Sequence, residues 1–166
     1  MSNYFNAQIG FGTSGLAENN HHWDRDKQAL HYAIEVGYKV FDTAEMYGEG
    51  KTETLIGQAL ADSGKRDELH LVSKVLPKNA LTVDDVVASC EQSIAKMKCG
   101  YIDTYLLHWR EGAMPIEPAI EAMLELKQRG LIKSYGVSNF SKYSLEEWQR
   151  IEHQLGVGST ISTHQI

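Results

Sequence analysis

The sequence predicts an α/β fold, a parallel sheet whose strands are joined by crossover helices. Three observations carry that expectation. Short apolar runs alternate with longer apolar stripes at helical spacing throughout the 166 residues. Glycines close the helical stripes, at Gly37, Gly64, Gly100, Gly130 and Gly156. No linker or low-complexity run interrupts the alternation, so a single domain over residues 1–166 is expected.

A first strand is expected near Gln8–Gly12. Asp24 reads as the N-cap of the first helix, with Ala29, Leu30, Ala33 and Ile34 on its apolar face. Lys39–Thr43 is short and extended, centred on Val40 and Phe41. The second helix carries Leu55, Ile56, Ala59 and Leu60, and Leu69–Lys74 is the third strand. Thr82 with Asp85 makes a variant capping box for a helix bearing Val83, Val86, Val87, Cys90, Ile94 and Met97. Ile102–His108 reads as a buried strand. Ile116, Ala119, Ile120, Met123 and Leu124 face one side of the fourth helix, and Leu131–Val137 is extended again. Leu145, Trp148, Ile151 and Leu155 line a fifth helix, and Thr160–Ile166 begins a sixth strand. Crossovers between such parallel strands are right-handed.

Periodicity alone does not separate an open doubly wound sheet from a barrel. Gly10, Gly12 and Gly15 have the spacing G-x-G-x-x-G. A dinucleotide-binding turn starts its helix at the glycines, whereas here the helical pattern begins only near Asp24. That mismatch disfavours the open sheet.

Composition narrows the function. Apolar residues make up 42% and charged residues 23%, a globular balance that excludes disorder and collagen-like repeats. Lys plus Arg is 16 and Asp plus Glu is 22, a net charge of −6, with no basic run. A nucleic-acid partner is therefore not expected. Cys90 and Cys99 lack the spacing of a disulfide framework or a zinc site, and no metal is expected. Met1–Gly10 has no basic or apolar leader, and no stretch is long enough to span a membrane. A cytoplasmic protein without a membrane partner is expected.

Polar residues collect at the ends of the predicted strands: Asp42, Lys74, His108, then Ser138 with Asn139, and Gln165. In a barrel of parallel strands, that edge is the active-site face. Each alone has an ordinary explanation: a turn aspartate, a solvated lysine, a histidine at the core edge, a half-buried Tyr47. Together they match one chemistry, proton donation to a carbonyl. A free tyrosine titrates near pH ~10, too high for efficient transfer near neutrality. A lysine ammonium beside it would favour the phenolate, and a buried lysine needs an aspartate to stay charged. A neutral imidazole can hold the substrate oxygen.

The segment Gly37–Gly48, GYKVFDTAEMYG, resembles the signature of the aldo-keto reductase family. Lys133–Phe140, KSYGVSNF, is similar to its second signature, and Tyr105–Trp109, YLLHW, to its histidine-terminated fourth strand. The resemblance runs in order along nearly the whole chain. It implies a (β/α)₈ TIM barrel that reduces aldehydes and ketones with a nicotinamide cofactor, and a small carbonyl compound as partner. By it, Asp42, Tyr47, Lys74 and His108 are the catalytic tetrad, with Tyr47 as general acid. Ser138, Asn139 and Gln165 match the positions that hold the nicotinamide carboxamide. The resemblance favours NADPH and leaves NADH open. Trp109 and Trp23 are candidate pocket walls, although Trp23 reads equally well as a staple for the next helix. Lys39, Tyr135 and Arg110 depart from the family pattern, which usually has Arg, an aliphatic residue and Pro there.

Six strands and five helices fill 166 residues, whereas a whole barrel runs to about 250. The expectation is a partial barrel lacking strands seven and eight and the C-terminal loop. Three functional readings follow: a reductase, a cofactor-binding auxiliary or regulatory subunit, or an inactive fragment completed by a partner.

Overall fold

The structure is a computed structural model and describes residues 9–18, 22–158 and 161–163. Strands β1 (Phe11–Gly12), β2 (Val40–Asp42), β3 (His70–Val75), β4 (Ile102–Leu107), β5 (Ile132–Ser138) and β6 (Ile161–Thr163) alternate with helices. The helices are α1 (Trp23–Glu35), α2 (Lys51–Ser63), α3 (Val83–Met97), α4 (Ile116–Gln128) and α5 (Lys142–Gln154). The strands form one sheet in the order β1-β2-β3-β4-β5-β6, and every neighbouring pair is parallel. A doubly wound sheet reverses its strand order at a switch point; a barrel adds each strand beside the last. The sequential order therefore settles the choice that periodicity left open, in favour of a partial TIM barrel.

Burial explains the strand composition. All six residues of β4 are buried, as a strand covered on both faces requires. Helices cover one face with Leu55, Ile56, Val86, Cys90, Ile120, Met123 and Trp148. Trp148 is fully enclosed, and its indole meets Phe140 edge-on at 5.7 Å between centroids. Tyr135 fits this layer because its hydroxyl donates to the buried Glu152 carboxylate at 2.8 Å. That partner explains how a tyrosine occupies a position where an aliphatic residue is expected.

Helix boundaries follow local chemistry. Thr82 caps α3 by accepting the Asp85 N–H at 3.2 Å, and its own hydroxyl donates to the Asp85 carboxylate at 2.8 Å. Ser141 caps α5 in the same way through the Ser144 N–H. The first helix differs from expectation. It begins at Trp23, one residue before Asp24, and no side chain caps it. The acid that matters there is Asp26, whose carboxylate turns away from its own helix end to the Ala17 N–H. Of the expected first and last strands, Gln8, Thr160 and residues 164–166 lie outside the described residues. Among the described residues, no helix is long and apolar enough to cross a membrane.

Helices α2 and α3 pack unusually close. A Cβ added at Gly57 on α2 would lie 2.6 Å from the Lys96 carbonyl oxygen on α3. Rigid backbone faces this glycine, so the two helices would have to separate. Gly57→Ala should destabilise the fold by about 1–3 kcal/mol through overpacking, despite alanine's better helix propensity of about 1 kcal/mol. Urea unfolding of the variant beside the parent measures this.

Candidate active site

The parallel register brings the C-terminal strand ends to one edge. Asp42 is the last residue of β2, and the next residue keeps the ladder by donating its N–H to Val72 at 2.8 Å. Lys74 lies in β3, paired with Leu106 of β4. His108 follows β4 and donates its backbone N–H to Val75 at 3.0 Å. Ser138 ends β5, and Asn139 turns just beyond it with φ +53°. The Asn139 amide in turn donates to the His108 carbonyl and to the Ser138 hydroxyl, both at 3.2 Å. Tyr47 opens a short 3₁₀ turn, Tyr47–Gly50, and its N–H is held by the Ala44 carbonyl at 3.1 Å.

These residues share one cavity of about 370 Å³. Asp42, Tyr47, Lys74, His108, Ser138 and Asn139 form one part of its wall. The Lys74 ammonium donates to Asp42 Oδ1 at 2.6 Å and to the Thr43 carbonyl at 2.8 Å. Its nitrogen lies 5.4 Å from the centre of the Tyr47 ring. The His108 ring meets that ring edge-on, with centroids 6.0 Å apart. Lysine and histidine thus flank the tyrosine ring, which lines the cavity with them.

The electrostatics depart from the sequence expectation in one respect. Burial pushes the Tyr47 phenol above its ordinary value, and the Asp42 carboxylate pushes it the same way. Lys74 does not reverse this, because its charge is directed at Asp42 and Thr43. Lys74 itself is held below the usual lysine range by burial, which Asp42 partly opposes. His108 falls to about 4, chiefly through burial and then through the Lys74 charge, so its imidazole is neutral at pH 7. Its Nδ1 is sealed from solvent with no hydrogen-bond partner among the described residues.

The rest of the cavity wall is Gly10, just before β1, with Gly12, Thr13 and Ser14 from the end of β1 and the turn after it. Sequence reasoning missed their part in the site. The signal was present as the glycine pair at the first strand end, set aside because it fails as a dinucleotide-binding turn. Gly12 has open space where a Cβ would stand. Thr13 is buried and donates both its N–H and its hydroxyl to the Asp42 carbonyl, at 3.0 and 2.9 Å.

Two expected pocket residues lie elsewhere, and one is not described. Trp23 is not among the residues lining this cavity; its indole N–H donates to Gln58 on α2 at 3.3 Å, in keeping with the helix-staple alternative. Trp109 meets the His108 ring at a tilt of 56°, with centroids 4.8 Å apart, but lines a neighbouring cavity of about 390 Å³ with Leu76, Pro77 and Lys78. Arg110 folds back onto its own loop, donating to the Ala113 and Met114 carbonyls at 3.3 Å. Gln165 lies outside the described residues.

Because His108 titrates at about 4 when folded and near 6.5 when unfolded, the unfolded chain binds the extra proton between those values. Its contribution to stability is complete above pH 6.5 and is lost as the pH falls toward 4. Relative to His108→Asn, the parent should lose stability across that window and hold steady from pH 7 to 8. Denaturant unfolding of both proteins at matched pH reads the difference.

Comparison with known proteins follows the same lines. The model of the Aldo/keto reductase family matches residues 8–166. The chain is similar to Methylglyoxal reductase YeaE of Escherichia coli (strain K12), 36% identical over 159 residues, covering 95% of this chain and 53% of the relative. It is similar to Methylglyoxal reductase DkgA of Escherichia coli O157:H7, 38% identical over 148 residues, covering 83% of this chain and 48% of the relative. Among solved structures, a thermostable aldo-keto reductase in complex with the inhibitor epalrestat superposes with a TM-score of 0.85 at 36% identity, covering 95% of this chain and 57% of its own. An aldo-keto reductase from Klebsiella pneumoniae in complex with NADPH gives 0.78 at 37% identity, covering 88% and 49%. The chain spans about half the length of the curated relatives it matches.

Proposed function

The chain belongs to the aldo/keto reductase family, and on that premise we propose that the cavity at the strand ends is the reaction centre of a nicotinamide-dependent carbonyl reductase. Its substrate would be a small aldehyde or ketone, reduced to the alcohol in a cytoplasmic setting. The observation that carries this reading is the convergence of Asp42, Tyr47, Lys74 and His108 on one cavity. The matched relatives include proteins named as methylglyoxal reductases, which makes methylglyoxal the first compound to test.

The residues present fit the nicotinamide end of a dinucleotide. Ser138 and Asn139 offer donor and acceptor atoms side by side, as a carboxamide requires. Gly12 leaves the facing wall without a side chain, in a cavity of a size usual for small-molecule sites. When bound, the reduced nicotinamide supplies the hydride. NADPH is the preferred form on the family resemblance, and the matched structures include complexes with NADPH and NADP.

The chain's own residues account for the proton. Burial and Asp42 keep Tyr47 protonated, which is the form a general acid needs when a carbonyl oxygen gains charge. Lys74 sits beside the ring, so its charge favours the phenolate once the proton has left, while Asp42 and Thr43 fix its position. With Nδ1 sealed, the proton of neutral His108 belongs on Nε2, which can donate to the substrate oxygen and direct it toward Tyr47. Trp109, in contact with His108, would shape the substrate side from the adjoining cavity.

NADPH oxidation with methylglyoxal or 4-nitrobenzaldehyde tests the reading directly; no aldehyde-dependent oxidation of NADPH or NADH would refute it. Tyr47→Phe should lower kcat by about 10²–10⁴-fold, the usual worth of a general acid. NADPH affinity, followed by fluorescence titration, should be retained. A variant turning over at the parent rate would remove Tyr47 from the mechanism.

A further inference from the structure

We propose that Asp26, on α1 and outside the cavity, is the positioning residue that holds the Tyr47 turn in place. Its catalytic consequence rests on the reading of Tyr47 as general acid; its structural part does not.

Asp26 is almost fully buried, and its carboxylate faces outward from its own helix. Oδ2 accepts the N–H of Ala17, nine residues earlier, at 3.0 Å. Oδ1 accepts the Arg25 guanidinium at 3.1 Å. Burial alone would raise this carboxyl, but the Ala17 N–H and Arg25 outweigh it and hold the group below the ordinary aspartate value. A charged acceptor on a backbone N–H is about twice as strong as a neutral one.

The strength is needed because of what Ala17 does. It has no exposed surface and a φ of +58°, a left-handed conformation that a residue with a Cβ adopts only when its surroundings impose it. In that conformation its carbonyl is turned toward the residue that follows Tyr47. A Cβ at Gly48 would stand 3.2 Å from the Ala17 oxygen and 3.1 Å from Thr52 Oγ1. Leu16, one residue before, accepts the Thr52 hydroxyl at 2.7 Å. The turn after β1 therefore packs on the Tyr47–Gly50 segment at Gly48 and bonds to Thr52 just beyond it, and Asp26 fixes that turn. Gly48, Glu49 and Gly50 are all left-handed, with φ of +55°, +56° and +84°. Gly48 and Gly50 adopt that region freely but do not fix it, and Glu49 enters it with a Cβ, so local preference alone does not hold the turn.

The test compares Asp26→Ala, which removes the acceptor, with Asp26→Asn, which keeps a side-chain oxygen for Ala17. Hydrogen exchange by mass spectrometry should show Asp26→Ala exchanging about tenfold or more faster in residues 13–17 and 44–52, with β3–β5 unchanged. In NADPH-dependent reduction, kcat should fall by about 10- to 100-fold, the scale expected of a small misplacement, with KM for the aldehyde little changed. Asp26→Asn should restore most of both. If Asp26→Ala folds poorly, Gly48→Ala strains the same contact from the other side and should loosen the same two segments.

Unchanged exchange in 44–52, a uniform loosening of the whole sheet, or an Asn variant as damaged as the Ala variant would overturn the proposal. So would an unchanged kcat in Asp26→Ala when the parent is active. A parent without reductase activity refutes the proposed function instead, and the exchange pattern still decides the role of Asp26.

Discussion

Everything at the strand ends depends on a lysine ammonium placed where water cannot reach it. Lys74 is 4% exposed, and its charge is tolerable there only because Asp42 Oδ1 and the Thr43 carbonyl take its hydrogen bonds. The Asp42 side chain is 37% exposed, so water screens part of the pair, but the bond still ties the ends of β2 and β3 together. The same pair sets the charge balance of the cavity. Lys74 helps to keep His108 neutral, and Asp42 helps to keep Tyr47 protonated. A neutral donor and an undissociated acid thus face the same space, with a cation behind them ready to favour the phenolate.

The barrel supplies this arrangement through its connectivity. Each strand lies beside its predecessor, so successive ends present Gly12, Asp42, Lys74, His108 and Ser138 along one rim. Tyr47 is the exception, because it comes from a turn. Its position depends on packing against the turn after β1, where Thr13 bonds to the Asp42 carbonyl and Ala17 abuts Gly48. The close approach of α2 to α3 at Gly57 holds the middle of the helix that follows. The precision of the site therefore comes from contacts among neighbouring βα units as well as from the strands.

The element order was legible because apolar periodicity reports burial directly, and burial here is regular: β4 is buried throughout, and α3 buries Val86, Val87 and Cys90 as its stripe predicts. The meeting of Asp42, Lys74 and His108 at one cavity was legible because they stand at or beside successive strand ends, with Tyr47 in the turn after β2. What escaped was whatever depends on contacts distant in sequence. Asp26 looks like a first-turn helix acid until its carboxylate is seen on Ala17. Trp23 could face a pocket or a helix, and only its bond to Gln58 decides. Gly10 and Gly12 were read for a helix they do not start, when both line the cavity and Gly12 leaves its wall bare. The upward shift of Tyr47 was missed because it comes first from burial, which sequence does not report for a loop tyrosine, and then from the nearby Asp42 carboxylate.

The central claim is that Asp42 and Lys74 act as one unit on Tyr47. A double-mutant cycle in kcat/KM for aldehyde reduction tests it most directly, using Asp42→Asn, Lys74→Met and the pair together. If they form a unit, the double variant should be no worse than the more damaged single variant, because each substitution already disables what the other serves. Losses that multiply in the double variant would mean that the two residues act independently, and would contradict the account.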